Sequence, residues 1–179
     1  MAPNPTGKSR LLLIDTCVII EAHRLDIWPA IISHCHVAIP ETVVGEAILV
    51  AREYDDLNLR LETEIAEGLI ESPALPASDL LIVKEKCPPF PGQIDAGELE
   101  CLACLLKDEQ GVSRVCSSDA VVFRYLGWIQ KQELGVSLEE VLRGMNLGPP
   151  LEFKLRKAFR ERWTRAGFAE ALQRGFIKL

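Results

Sequence analysis

The chain has 179 residues, 48% of them hydrophobic, which fits one globular domain with a sizeable core and excludes an intrinsically disordered chain. No apolar run reaches the roughly 18 residues of a membrane span, and residues 1–9 are predicted to be a disordered tail and not an export signal. We therefore expect a cytoplasmic protein with reduced thiols. A zinc site at Cys101 and Cys104 is disfavoured, because this C-x-x-C lies in a helical pattern and lacks a second close pair.

Charge is distributed unevenly along the chain. The net charge of −6 by itself argues against a nucleic-acid partner, but residues 151–179 contain eight basic and only three acidic residues. We therefore predict an acidic body followed by a basic helical C-terminal extension, joined by the linker 148–150. Apolar residues at helical spacing predict that the extension packs on the body or on a second subunit: Phe153, Leu155, Phe159 and Trp163.

Apolar runs and helical patterns alternate along the body. In chain order they predict a strand at 11–14, a helix to about residue 24, a second apolar segment at 27–32, a strand at 36–39 and a helix at 42–53. There follow a helix at 59–67, a short strand at 69–71, a proline-rich loop at 87–93, a helix at 95–107, a strand at 112–116, a helix at 120–127 and a last helix opened by the capping box at 137–140. This alternation predicts a three-layer α/β/α sandwich with a mostly parallel central sheet.

Acidic residues recur where the predicted strands end. Asp15 and Asp119 each follow a strand, Glu46 lies early in the helix after the second strand, and Asp95 and Glu98 open the helix before the fourth. In a parallel sheet these positions meet at the carboxyl edge, where α/β proteins bind ligands. Carboxylates crowded there need a cation between them, and hard oxygen ligands suit Mg²⁺ or Mn²⁺.

Each of these acids also has a purely structural explanation. Asp15 and Asp119 can cap the helices that follow them, and Asp95 with Glu98 can form a capping box. For Asp95 the cap is favoured, whereas Glu98 is favoured as a ligand. Glu100, about 200° round the helix from Glu98, is expected on the solvated side. A common site is preferred because the acids occupy equivalent places in the topology.

Four motifs carry a resemblance to a known family: LLLIDTCVI at 11–19, IPETVVGEA at 39–47, DAGELECLACLL at 95–106 and VCSSDA at 115–120. In their order and spacing they resemble the PIN-domain family, which includes VapC-like toxin ribonucleases and related predicted nucleic-acid-binding proteins. The resemblance covers about residues 10–145. It implies a PIN-like nuclease domain at 10–147, followed by the basic extension at 151–179.

The resemblance implies specific roles for the acids. Asp15, Glu46, Glu98 and Asp119 match the family's four catalytic acids, and Asp95 is an additional metal ligand or replaces Glu98. Thr16 and Ser118 match the hydroxyl residues beside the first and last acids. The acids would hold Mg²⁺ or Mn²⁺ and activate water for attack on an RNA phosphodiester. The resemblance also implies a homodimer and, for toxin members, a small antitoxin partner.

Two departures from the typical toxin are visible, an insertion around residues 54–90 and the basic extension. The leading hypothesis is therefore a metal-dependent endoribonuclease, and the toxin of a toxin–antitoxin pair is a narrower form of this hypothesis. In this hypothesis Lys154, Arg156 and Arg160 help to hold the RNA backbone. The alternative is a catalytically silent PIN-fold module that binds RNA or a protein.

Overall fold

The computed structural model describes residues 9–54, 57–86, 94–108 and 113–177. Its centre is a five-stranded sheet in which every neighbouring pair of strands is parallel. The strand order across the sheet is β3-β2-β1-β4-β5. The strands are β1 Ser9–Ile14, β2 Cys35–Ala38, β3 Ile70–Glu71, β4 Arg114–Cys116 and β5 Gly135–Val136.

Helices connect and flank these strands. They are α1 Thr16–Arg24, α2 Trp28–His34, α3 Glu41–Ala51, α4 Leu61–Ala66, α5 Ala77–Lys86, α6 Ala96–Lys107, α7 Ala120–Trp128, α8 Leu138–Gly144 and α9 Lys157–Gln173. Two short 3-10 helices, Gln132–Leu134 and Phe153–Leu155, complete the described elements. The predicted α/β/α sandwich with a helical C-terminal part is thereby confirmed.

The central position of β1 in the sheet explains why its sequence is apolar without alternation. It pairs with β2 on one side and β4 on the other, so Leu12, Leu13 and Ile14 are all buried without alternation. The chain runs from β1 outward through β2 to β3, and then returns to β4 and β5 on the opposite side. Because these excursions run in opposite directions, right-handed crossovers place α1 and α7 on opposite faces. The direction in which the chain adds strands to the sheet thus reverses between β1 and β4, and this place is the reversal of strand order.

The C-terminal extension packs on the body through an unusually close helix crossing. Helix α9 lies against α7, and glycines make the approach possible. A Cβ atom at Gly127 would collide with the backbone carbonyl of Thr164, and one at Gly167 would collide with that of Arg124. At this crossing Arg124 and Glu170 form an ion pair of 2.9 Å. The prediction that the extension packs on the body is confirmed.

Most predicted elements lie within two or three residues of the observed ones, whereas helix α5, strand β5 and the two short 3-10 helices are not predicted. Helix α5 lies in the insertion around residues 54–90, and strand β5 has only two residues. The apolar segment at 27–32 belongs to helix α2. The proline-rich loop at 87–93 and residues 1–8 of the predicted tail lie outside the described residues, whereas Ser9 already belongs to β1.

No disulfide joins the described cysteines. Cys35, Cys101 and Cys116 are buried in the core, Cys104 is partly buried and Cys17 is exposed. Cys101 and Cys104 lie on α6, as the helical pattern predicted. Across the described ranges, none of the helices combines the length and the apolar character of a membrane span.

Candidate functional site

The first predicted acid lies where the strand order reverses. Asp15 follows β1 directly and caps α1, since its Oδ1 accepts a hydrogen bond of 2.8 Å from the Val18 amide. Its Oδ2 faces the loop after β4 and accepts from the Ser117 hydroxyl at 2.6 Å and the Ser118 amide at 2.9 Å. Asp15 is therefore both a helix cap and a link between the two strands at the reversal.

The loop after β4 brings the last acid beside the first. The Ser117 hydroxyl donates to Asp15 and accepts a hydrogen bond of 2.9 Å from the Asp119 amide. Asp119 caps α7 through its Oδ1, which accepts from the Val121 amide at 2.7 Å. The resemblance implies Ser118 as the hydroxyl beside the last acid. In the structure the Ser117 hydroxyl joins the two acids, and Ser118 contributes its backbone amide to Asp15.

Asp95 and Glu98 form the capping box of α6 and also reach the last acid. Asp95 Oδ1 accepts from the Glu98 amide at 2.8 Å, and Glu98 Oε2 accepts from the Asp95 amide at 3.0 Å. The Glu98 carboxyl is in addition hydrogen-bonded to the Asp119 carboxyl. Glu98 is only 8% exposed, whereas Asp95 and Asp119 are exposed. The same two side chains therefore cap α6 and belong to the group of neighbouring acids, so a role as a cap does not exclude a place in the cluster.

Glu46 joins the cluster from helix α3. Its Oε2 accepts a hydrogen bond of 3.0 Å from the Thr16 hydroxyl, so Thr16 connects the segment of the first acid to the second. The start of α6 lies directly against Glu46, because a Cβ at Gly97 would be 2.8 Å from Glu46 Oε2. The lack of a side chain at Gly97 is what lets the two helices bring their acids together. The signal for this close approach in the sequence is the glycine of the D-A-G-E stretch.

The expectation for Glu100 is wrong. Instead of facing solvent, Glu100 Oε1 accepts from the Thr42 hydroxyl at 2.7 Å and its Oε2 accepts from the Thr42 amide at 3.2 Å. The Thr42 amide lies in the first turn of α3, where backbone donors have no partner within the helix. Glu100 therefore fastens α6 to the beginning of α3 and helps to fix the position of Glu46.

Burial and crowding raise the pKa values of three of the acids. Burial, together with the negative charge of Asp119 and of Asp95, raises the pKa of Glu98 to about 8. Burial also raises the pKa of Asp15, against the hydrogen bonds from Ser117, Val18 and Ser118 that lower it. The pKa of Glu46 is raised by burial and by nearby carboxylates, of which Asp95 contributes most. Mutual influence of this kind shows that the five acids occupy one electrostatic neighbourhood.

The donor chemistry of this cluster fits a hard divalent cation, because all five side chains are carboxylates. In the arrangement observed, however, the carboxylates are turned toward backbone and hydroxyl donors. Across the described residues, no group of three or more Asp, Glu, His or Cys side chains is arranged to hold a metal ion. Ligation would therefore require the carboxylates to rotate and Glu98 to lose its proton.

The three cations predicted to hold RNA differ in their surroundings. Arg156 Nε donates to the Leu151 carbonyl at 2.8 Å. Arg160 forms two hydrogen bonds of 2.8 and 2.9 Å with Glu140. Arg156 therefore links two parts of the extension, and Arg160 links the extension to the body.

Lys154 forms a surface ion pair, since its ammonium is 3.5 Å from Glu152 and both side chains are about half exposed. It interacts electrostatically with the thiol of Cys17, which follows Asp15 and Thr16 at the start of α1 and is hydrogen-bonded to Ser118.

Together the fold and the site define a doubly wound α/β protein with an acidic cluster at the reversal of strand order. No protein-family model matches the chain. Among curated proteins, none matches it at a significant level.

Proposed function

We propose that this protein is a divalent-metal-dependent endoribonuclease that hydrolyses RNA phosphodiester bonds at the acidic cluster. The observation that carries the proposal is the location of the cluster. Asp15 and Asp119 follow the two strands between which the strand order reverses, and this crevice is where doubly wound proteins bind ligands. Glu46 and Glu98 reach the same place from two further helices.

The proposal gives each side chain a task. Asp15 and Asp119 would hold the cation from the β1 and β4 side, and Glu46 and Glu98 from the α3 and α6 side. A bound Mg²⁺ or Mn²⁺ ion would activate water and offset charge on the phosphate. Ser117 would keep Asp15 oriented through its 2.6 Å hydrogen bond. Asp95 would remain the cap of α6, because its Oδ1 is bonded to the Glu98 amide.

The first test is thermal stability against Mn²⁺ and Mg²⁺, for the wild type, Asp15→Asn and Asp119→Asn. A ligand that binds only the folded state raises stability by mass action. We expect a metal-dependent rise in Tm for the wild type, and little rise for the two variants. Without metal, Asp119→Asn should be more stable than the wild type, because Asn still caps a helix but adds no negative charge. Asp15→Asn should be less stable, because both Asp15 oxygens accept hydrogen bonds and the amide nitrogen of Asn cannot accept one. Glu62→Gln, at an exposed acid of α4, is the matched control.

The second test is cleavage of single-stranded RNA by the same proteins. We expect cleavage with Mn²⁺ by the wild type and Glu62→Gln, strong loss in Asp15→Asn and Asp119→Asn, and none in EDTA. Cleavage that persists in both variants would come from a contaminant or from another site, and would overturn the proposal.

A catalytically silent binding module is the second candidate. It is favoured by the fact that Asp15, Asp95 and Asp119 each cap a helix, which gives them a structural reason to be present. In that case metal leaves Tm unchanged, and Asp119→Asn gains no stability in the absence of metal.

The resemblance also leads us to propose a homodimer and, for a toxin function, a small antitoxin partner. Sedimentation equilibrium of the purified chain tests the dimer. Growth arrest on expression of the wild type, but not of Asp119→Asn, tests the toxin function.

A further inference from the structure

The exposed residues of helix α9 share one side of the helix, which we call its outer face. This face points away from the close crossing with α7, since Gly167 lies about 160° round the helix from its middle. Because that crossing fixes α9 to the body, the outer face has a defined position on the molecule. The outer face comprises Ala158, Arg162, Arg165, Ala169 and Gln173.

Arg162 is held in place by an aromatic ring. Its guanidinium carbon lies 5.3 Å from the centroid of the Trp163 ring. Trp163 is itself partly buried against the core and meets Phe159 edge to face, with ring centroids 6.1 Å apart. Within the described ranges Arg162 has no carboxylate partner. A guanidinium packed on a ring keeps its N–H groups available, so Arg162 offers a positioned set of donors to an anion.

Cations outnumber carboxylates on the outer face and at its border. The Glu161 carboxylate, at the border, is 3.2 Å from Arg165 and 3.6 Å from Lys157. One carboxylate balances only one of these two cations, and Arg162 adds a further positive charge. Two positive charges therefore remain in excess, on a chain whose net charge is −6. A polyanion that meets this acidic protein is attracted to the outer face of α9 and repelled elsewhere.

The composition of the outer face suits a phosphate backbone better than a protein or a membrane. Protein interfaces have an apolar and aromatic centre, and helices that lie on membranes insert bulky apolar side chains. The outer face instead has two arginines, two alanines and one glutamine. The small alanines leave room beside the arginines, so a chain of phosphates can approach the guanidinium groups closely.

We propose that Arg162 and Arg165 form a docking surface for the phosphate backbone of RNA, with Lys157 as a further contact at its border. Residues three apart are neighbours on a helix, so the two arginines would bind phosphates of the same strand. Contacts of this kind supply affinity without a choice of sequence. Binding itself requires neither metal nor the acidic cluster, whereas a role in holding RNA for cleavage rests on the function proposed above.

The experiment measures binding of a fluorescent ten-nucleotide oligouridylate by anisotropy, in EDTA and at several salt concentrations. The full chain is compared with Arg162→Gln, Arg165→Gln and the double variant. The matched controls are Arg52→Gln and Arg24→Gln, each of which also removes one exposed positive charge. Arg52 ends α3, and Arg24 forms an ion pair of 3.2 Å with Glu21 on α1, as long as the pair that Arg165 forms.

We expect each single variant on the outer face to lower the slope of log affinity against log salt by about 0.7, as for one phosphate contact to a single strand. At about 0.1 M salt this corresponds to roughly fivefold weaker binding, and the double variant should lose roughly 25-fold. Both controls should bind as the wild type does. The docking surface is refuted by wild-type affinity and slope in the double variant, or by a wild type that does not bind the oligonucleotide.

Binding of a fluorescent ten-residue oligoglutamate distinguishes RNA from an acidic protein partner. We expect it to bind more weakly than the oligouridylate. If it binds at least as tightly, and the double variant abolishes this binding, the outer face belongs to an acidic protein and the RNA proposal is overturned.

Cleavage with Mn²⁺ by the same proteins separates this proposal from the hydrolase proposal. If the double variant loses binding while no protein cleaves RNA, the docking surface stands and the hydrolase proposal fails. If RNA is cleaved with an unchanged KM by the double variant, the hydrolase proposal stands and the docking surface is refuted.

Discussion

Replacement of Glu98 by Gln tests the electrostatic crowding of the cluster. The Glu98 carboxyl accepts a hydrogen bond from the Asp95 amide and is bonded to the Asp119 carboxyl. A glutamine can reproduce both interactions, since its carbonyl accepts from Asp95 and its amide donates to Asp119. Glu98→Gln is therefore the nearest permanent copy of the protonated side chain. The variant keeps the capping box and removes one titrating group.

The magnitude follows from the pKa of Glu98. The folded protein holds this proton up to a pKa of about 8, whereas an unperturbed glutamate loses it near 4.5. Between these values the folded state binds more protons than the unfolded state, so the free energy of unfolding falls as pH rises. At about 1.4 kcal/mol per pKa unit, Glu98 contributes a loss of at most roughly 3 kcal/mol between pH 5 and pH 8.

The assay is urea unfolding in EDTA at pH 5, 6, 7 and 8, followed by tryptophan fluorescence. We expect the wild type and Glu98→Gln to have similar stability at pH 5, and the variant to become more stable by up to roughly 3 kcal/mol at pH 8. The exposed control Glu62→Gln should follow the wild type at every pH. Parallel pH profiles for the wild type and Glu98→Gln would show that Glu98 titrates normally, and the argument from crowding would then be refuted.

Three further substitutions test how the site and the extension are built. Gly97→Ala should abolish the rise in Tm with Mn²⁺, because the added Cβ would displace Glu46 Oε2; an undiminished rise would contradict the placement of Glu46. Ser117→Ala should cost about 1–3 kcal/mol in urea unfolding, since it removes a donor from Asp15 and an acceptor from the Asp119 amide. Gly167→Ala should lower stability by about 1–3 kcal/mol through overpacking of the α7–α9 crossing, whereas unchanged urea unfolding would mean that this crossing is looser than described.

Sequence patterns predicted strands β1 to β4 and the acids that cap the helices after β1 and β4, because both follow local rules. The run from Leu12 to Ile14 is apolar on both faces, as a central parallel strand requires. Asp15 and Asp119 are recognisable because helix caps occupy fixed places before an apolar helix. Because neighbouring strands are parallel, the acids that follow them lie at the same edge of the sheet. This placement can be predicted without knowledge of any side-chain contact.

Features that depend on contacts between distant segments could not be predicted in this way. Ser117 and Ser118 are adjacent and chemically alike, and only the path of the loop decides which hydroxyl reaches Asp15. Glu100 was misplaced because helical angle alone does not reveal that the start of α3 packs against α6. The strand β5 has two residues and carries no periodicity that a sequence pattern can register.

The structural and functional explanations of the acids support each other. Three helices, α1, α6 and α7, begin at an aspartate cap, namely Asp15, Asp95 and Asp119. The positive ends of these helices stabilise negative charge by about 0.3–1 kcal/mol each. This stabilisation allows carboxylates to gather, but it does not neutralise them, since the pKa of Glu98 is still raised to about 8. A cluster that caps its helices and yet retains a proton at neutral pH is one in which a divalent cation can replace that proton, and stability should then rise with metal most strongly above pH 8.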